Sequence, residues 1–184
     1  MSGVYVEYKG LDTSFNPGLS STSSLVNALE QYNSHRNYKK FRFGDSGSLM
    51  LVRRLTSIAQ TMQVKRVGYC GMMLPVLEDC VLAERWTERR LNSTMLMALS
   101  AVCGVGIDTM PLPNTAYAKP MLIQAIIEDV IALASKWDKP LSCRIFIAPD
   151  TEDCGLTKFA SPHLCNCRVY DFWGVCFIRC LFGT

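Results

Sequence analysis

The residues best suited to chemistry lie in one run of small and polar side chains, residues 100–114, which reads SAVCGVGIDTMPLPN. In this run a segment of small residues leads to Asp108 and Thr109, and Pro111 and Pro113 fix the turn that follows. Ligand-binding groups of parallel α/β proteins gather where strands reach their carboxyl ends. Asp108 could serve there as a general acid or base, a hydroxyl acceptor or a cation ligand. The alternative is an Asx turn, in which the Asp108 carboxylate binds its own backbone.

Further polar residues extend this candidate site. Arg144 could clamp a carboxylate or phosphate, because a guanidinium presents a planar fork of donors. With Asp108 as the catalytic residue, the predicted ligand-binding residues are Asp12, Glu78, Asp79, Gly104, Gly106, Thr109 and Arg144. Each acidic candidate has a structural alternative, since acidic side chains stabilise a helix start and aspartates form turns. For Arg144 the alternative is a surface ion pair on a strand.

Three other motifs match only in part a serine-protease site, a dinucleotide-binding fingerprint and a zinc site. Residues 44–47 (GDSG) match the surroundings of a serine-protease nucleophile, but they run into a helix, where Asp45 or Ser46 would be an N-cap. The Gly104-Val105-Gly106 element lacks the third glycine of a dinucleotide fingerprint. The tight spacing of four cysteines is atypical of zinc sites. These cysteines are Cys165, Cys167, Cys176 and Cys180.

Hydrophobic spacing predicts strands that alternate with helices, which is typical of a mainly parallel α/β sheet or barrel. The predicted strands cover residues 4–8, 64–69 and 142–147, with a further strand or loop over 104–113. The predicted helices cover residues 25–32, 47–62, 76–86 and 120–137, and a short one starts at Asn92 or Ser93. Apolar residues surround most of the helix at 120–137, so we expect it to be mostly buried.

The composition is that of a globular protein. The chain has 184 residues, of which 49% are hydrophobic and 19% charged, and its net charge is +3. The basic residues are dispersed, which argues against nucleic acid as a partner. We expect a cytoplasmic protein with reduced thiols, because there is no export signal, and no membrane span, because residues 173–182 are too few and include Arg179.

Five stretches together resemble one family. They are residues 10–17 (GLDTSFNP), 68–83 (GYCGMMLPVLEDCVLA), 100–114, 139–144 (KPLSCR) and 166–169 (NCRV). In these stretches the chain resembles the C-terminal part of the uncharacterised protein family 0210, also called domain-of-unknown-function family 711. The resemblance implies an α/β barrel related to the pyruvate formate-lyase-like fold. It implies no established reaction, and the cofactor stays unknown.

Family members are longer, so we expect a partial barrel over residues 1–172 that lacks its N-terminal portion. Residues 173–184 form an apolar tail outside the resemblance. The function expected is binding of a small polar metabolite, with lyase- or transferase-like chemistry. The alternative is a non-catalytic fragment that acts as an interaction or structural module, or is inactive. An open barrel would expose its edges, so we also expect self-association or pairing through an exposed barrel edge.

Overall fold

A computed structural model describes residues 4–37 and 40–170 of the chain. Its helices and strands alternate over much of this length, as the hydrophobic pattern predicts. In chain order they are α1 (Leu25–Asn37), α2 (Ser48–Thr61), α3 (Cys80–Thr87), α4 (Ser93–Cys103), β1 (Gly106–Leu112), a 3-10 helix (Asn114–Ala118), α5 (Pro120–Trp137) and β2 (Ser142–Ile147).

The two strands are parallel neighbours. Their register runs from Gly106 opposite Ser142 to Leu112 opposite Ile147. Parallel strands need a crossover connection, and α5 supplies it here. The prediction of a mixed α/β fold with parallel strands is confirmed.

Two earlier segments continue the parallel arrangement through isolated bridges. Leu11 forms a parallel bridge with Arg66, and Phe15 forms one with Met72. Pro75 in turn forms a parallel bridge with Asp108 in β1. The spatial order is therefore residues 11–15, residues 66–75, β1 and β2, which is also their order in the chain. Helix α2 contacts α4, and α4 contacts α5, so the connecting helices follow the same order.

Side-chain caps explain where three of the helices begin. The Ser24 hydroxyl accepts a hydrogen bond from the Asn27 amide at 2.9 Å, which starts α1. The Asn92 side chain accepts from the Met95 amide at 2.8 Å, which starts α4. Asp79 caps α3, so this helix begins four residues later than the predicted residue 76. Caps of this kind satisfy backbone donors that the first turn leaves free.

Three predictions about secondary structure or burial are wrong in whole or in part. Residues 4–8 form no strand, and Val4 and Tyr5 are each 89% exposed. Their apolar alternation fits a strand, but no described segment lies beside them to complete the ladder. Helix α5 has the predicted bounds, yet only Ile126 and Val130 are buried in it. The predicted strand at 64–69 is reduced to one bridge at Arg66.

A buried ion pair ties α1 to α3 beside the hydrophobic core. Glu30 accepts hydrogen bonds from Arg85 Nε at 2.6 Å and from the Phe43 amide at 2.8 Å. Burial raises the pKa of Glu30, but the hydrogen bonds from Arg85 and Phe43 outweigh burial, so its pKa lies below the ordinary value. The pair therefore holds an ionised carboxylate inside the fold.

Candidate functional site

The centre of the candidate site is a β-bulge in β1. The register passes from Ile107 opposite Cys143 to Met110 opposite Ile145, so Asp108 and Thr109 together face one residue of β2, Arg144. Thr109 has a φ of 40°, a conformation that β-branched residues rarely adopt. Bulges of this kind redirect side chains and occur often beside functional sites.

A turn over residues 75–78 is attached to this bulge. The Val76 amide donates to the Asp108 carbonyl oxygen at 3.1 Å. The Leu77 amide donates to Thr109 Oγ1, also at 3.1 Å. The predicted site residue Thr109 thus holds the turn that carries Glu78. No local sequence signal predicts this attachment, because Leu77 and Thr109 lie 32 residues apart in the chain.

Three of the predicted site residues meet at this point. Arg144 Nε donates to the Asp108 carboxylate, and Arg144 Nη2 donates to Glu78 Oε1 at 3.0 Å. The side chain of Asp108 is 2% exposed, that of Glu78 is 29% exposed and that of Arg144 is 53% exposed. The cluster therefore runs from a buried carboxylate to a guanidinium that solvent can reach.

The electrostatics of the cluster favour a protonated arginine. The hydrogen bond to Asp108 raises the pKa of Arg144 and, with the charge of Glu78, outweighs its partial burial. One guanidinium and two carboxylates give this cluster a net charge of about −1 at neutral pH. A guanidinium has five N–H donors, and the two bonds described use only two of them.

Asp79 lies next to Glu78 but serves two helices. Its Oδ1 accepts from the Val81 and Leu82 amides at 3.1 Å each, at the start of α3. The same oxygen accepts from the Ser24 hydroxyl at 2.6 Å, and Oδ2 accepts from the Leu25 amide at 2.9 Å, at the start of α1. The buried Asp79 carboxylate therefore fastens α1 to α3. Stabilising a helix start is the structural role that the sequence offered as the alternative to ligand binding.

Asp12 is likewise engaged by backbone groups of a neighbouring loop. Its carboxylate accepts from the Ser14 hydroxyl at 2.6 Å and from the amides of Tyr69 and Cys70 at 3.1 and 3.0 Å. Burial raises the pKa of Asp12, but these bonds outweigh burial and bring it below the ordinary value. The structure gives Asp12 the turn-forming role that the sequence left open.

The two glycines of the motif serve packing. A Cβ on Gly106, whose φ is 107°, would lie 2.1 Å from the Ser142 carbonyl oxygen. A Cβ on Gly104, at the end of α4, would lie 3.0 Å from the Trp137 ring. Their small size lets β1 approach β2 and α4 approach α5, so the space beside them is filled by the protein itself.

A second charged cluster lies far from this motif in the sequence. A cleft of about 410 Å³ is lined by Lys40, Arg42, Asp45, Glu88 and Arg90. Arg90 binds Asp45 at 2.6 Å and Glu88 at 3.0 Å. These charges are dispersed in the sequence, and tertiary contacts bring them into one network. Since Arg90 is paired with two carboxylates, we interpret this network as a surface ion-pair cluster.

Cysteines, metal groups and membrane spans were assessed over residues 4–37 and 40–170. Six cysteines there are free thiols, whereas Cys154 is in a disulfide, so the expectation of reduced thiols is wrong for Cys154. The free thiols are Cys70, Cys80, Cys103, Cys143, Cys165 and Cys167. No group of three potential metal ligands occurs in this part, and Cys176 and Cys180 lie outside it. None of its helices combines the length and the apolar character needed to cross a bilayer.

Comparison with known families decides the affiliation of the chain. A family model described as Uncharacterised ACR (DUF711) matches residues 2–160, which is most of the sequence. The chain belongs to the DUF711 family. The resemblance seen in the sequence motifs is thereby confirmed at the level of the family.

The curated relatives that the chain matches include proteins named UPF0210. The chain is 35% identical over 112 residues to the one from Pyrobaculum aerophilum, a match that covers 59% of this chain and 25% of the relative. It is 29% identical over 141 residues to that of Leuconostoc mesenteroides, with coverages of 76% and 30%. The chain thus spans less than a third of the length of these relatives. No solved structure matches it significantly.

Proposed function

We propose that this DUF711 chain belongs to an α/β barrel that binds a small polar metabolite at the Asp108–Arg144–Glu78 cluster. The observation that carries the proposal is the meeting of these three side chains from three separate segments of the chain. Barrel enzymes assemble their sites in this way, with groups from several neighbouring strands and the loops that follow them.

The order of the parallel segments supports the barrel. Residues 11–15, residues 66–75, β1 and β2 lie side by side in chain order, and their connecting helices follow the same order. An α/β barrel has this arrangement, whereas open doubly wound sheets reverse their strand order at a switch point. A barrel of the pyruvate formate-lyase-like type is the form that the family resemblance implies.

The charge of the cluster favours a ligand with hydroxyl or amine groups. Arg144 is already paired with Asp108 and Glu78, so a strongly anionic ligand would have to displace a carboxylate. A hydroxyl or ammonium group could instead donate to Glu78 while a carbonyl oxygen accepts from the remaining Arg144 N–H groups. Asp108 would then be the general acid or base of a lyase- or transferase-like reaction, held in position by Arg144.

A binding screen tests the ligand class. The purified chain and the Pyrobaculum aerophilum relative would be heated with amino alcohols, polyols, hydroxy acids and sugar phosphates, and the unfolding midpoint recorded. We expect neutral or cationic hydroxyl compounds to raise the midpoint, because a ligand that binds the folded state stabilises it. Stabilisation by sugar phosphates alone would contradict this charge argument.

Substitutions in the Asp108–Arg144–Glu78 cluster test whether the ligand binds there. Asp108→Asn and Arg144→Lys should weaken a hit from the screen at least about tenfold, which is the loss of one charge-assisted bond. Arg53→Lys, an exposed arginine on α2, is the control and should bind normally. The midpoint without ligand should change little in Arg144→Lys, since the Arg144 side chain is 53% exposed and lysine keeps its positive charge beside Asp108. A large loss of stability in Asp108→Asn with unaltered binding would show that Asp108 is a structural turn residue.

A second role, as an interaction module, is favoured by the surface of α5. This helix is apolar on most sides, but Ile127 and Ile131 are 42% and 57% exposed. Monomeric proteins rarely leave such a helix face uncovered.

A further inference from the structure

The parallel arrangement of the described residues ends at two open edges. Residues 11–15 form one edge and β2 forms the other. Within residues 4–37 and 40–170, no further segment pairs with the outer side of either edge. An open strand edge carries backbone donors and acceptors that can pair with another strand.

The helix layer ends at the same two places. Helix α2 is its first member and α5 its last, with α4 in contact with both. Lys136 Nζ donates to the Ala101 carbonyl oxygen of α4 at 2.8 Å, which marks the side of α5 that faces α4. At 3.6 residues per turn, Ile127 and Ile131 lie on the opposite flank of α5. The exposed side chains of Ile127 and Ile131 therefore point away from the layer, toward the place of a further helix.

We propose that a second copy of this chain occupies both edges, so that two copies close one parallel α/β barrel. Residues 11–15 of each copy would pair with β2 of the other, and α2 of each copy would pack on the Ile127–Ile131 flank of the other's α5. The inference rests on the barrel proposed above and not on its ligand.

The number and direction of the segments fit this assembly. Each copy supplies four parallel segments, and about eight parallel strands close an α/β barrel whose interior is filled by side chains. A two-fold axis along the barrel keeps all of these segments parallel. It also makes the two junctions between the copies equivalent, so the assembly closes as a dimer and does not grow further.

The two helix flanks are complementary in charge and in apolar character. Helix α2 has no acidic residue, and its exposed Arg54 lies one turn before Ile58. Helix α5 exposes Glu128 beside its apolar flank, about 60° around the helix from Ile131. On α2 the exposed Ile58 offers an apolar contact to that flank. Opposite charges around an apolar contact favour an α2–α5 junction over an α5–α5 junction, where acidic residues would meet.

Light scattering coupled to size-exclusion chromatography tests the assembly on the full 184-residue chain. We expect twice the chain mass of 20.6 kDa at micromolar concentration. Ile131→Lys should raise the dissociation constant about tenfold to a hundredfold, because it places a charge where an isoleucine side chain would be buried. Ala132→Lys is the matched control, since Ala132 is exposed and turned by about 100° from Ile131. A monomer at these concentrations, or equal effects of the two variants, would overturn the proposal.

A variant on the other helix distinguishes the two possible junctions. Ile58→Lys on α2 should weaken the dimer as Ile131→Lys does, because each junction needs both helices. Both substituted residues are exposed, so circular dichroism should show folded variants. A dimer that Ile131→Lys dissociates but Ile58→Lys leaves intact would mean that α5 meets α5, which overturns the barrel closure. Ligand binding is measured separately, so its failure would leave this result standing.

Discussion

Replacement of Asp79 by alanine separates a structural role from a ligand-binding role. In the structure this carboxylate caps α1 and α3 at once, and it is 1% exposed. If it were mainly a ligand group, its removal would change binding and leave the stability of the protein nearly unaltered. If it fastens the two helices, its removal should destabilise the fold strongly.

The magnitude follows from the number of bonds. Loss of one N-cap costs about 0.5–2 kcal/mol, and Asp79→Ala removes two. The buried Ser24 hydroxyl also loses its acceptor, which adds about 1 kcal/mol or more. We therefore expect a loss of about 2–5 kcal/mol in the free energy of unfolding. In a chain of this size that lowers the thermal midpoint by about 4–20 °C.

Urea unfolding of the variant, followed by circular dichroism, measures this loss. The matched control is Asn92→Ala, which removes the exposed cap of one helix, α4, and should cost about 1 kcal/mol. Asp79→Asn keeps one acceptor oxygen and should fall between the two, so a result is obtained even where Asp79→Ala does not fold. Equal losses in Asp79→Ala and Asn92→Ala would refute the double-cap reasoning.

Three further predictions concern the backbone, pH and thiols. Gly106→Ala should destabilise the fold by several kcal/mol more than Gly47→Ala in chemical unfolding. The two φ angles are nearly equal, 107° and 108°, but only at Gly106 would the Cβ meet backbone, at 2.1 Å. Because the pKa of Glu30 lies below its ordinary value of 4.5, the stability this group contributes should be complete above about pH 5. It should be lost as the pH falls through the lowered value, and Glu30→Gln should flatten this part of a stability–pH curve. In native maleimide labelling read by mass spectrometry, the exposed Cys143 should react first. Cys167 should react last among the free thiols described, because burial raises its pKa to about 12, and equal rates would contradict this.

Local sequence signals predicted most of the helices and β2. Periodic apolar residues and caps such as Asn92 act within one or two turns, so a helix start or stop can be read from neighbouring residues. The bounds of α5 and of β2 follow in this way. The strand predicted at residues 4–8 is wrong because a strand depends on a partner elsewhere, and the alternation of its side chains does not reveal one.

Residue types alone predicted the members of the candidate site but not their roles. Asp108, Glu78 and Arg144 meet only because a bulge at Thr109 and the turn at residues 75–78 bring three distant segments together. Asp12 and Asp79 have the same chemistry as Asp108, yet backbone amides engage them, and sequence cannot show which amides will lie nearby. Side-chain chemistry is a local property, whereas burial and hydrogen-bond partners are set by contacts between segments. The sequence therefore determined the family, the helices and the list of candidates, and the tertiary structure decided which of them form one cluster.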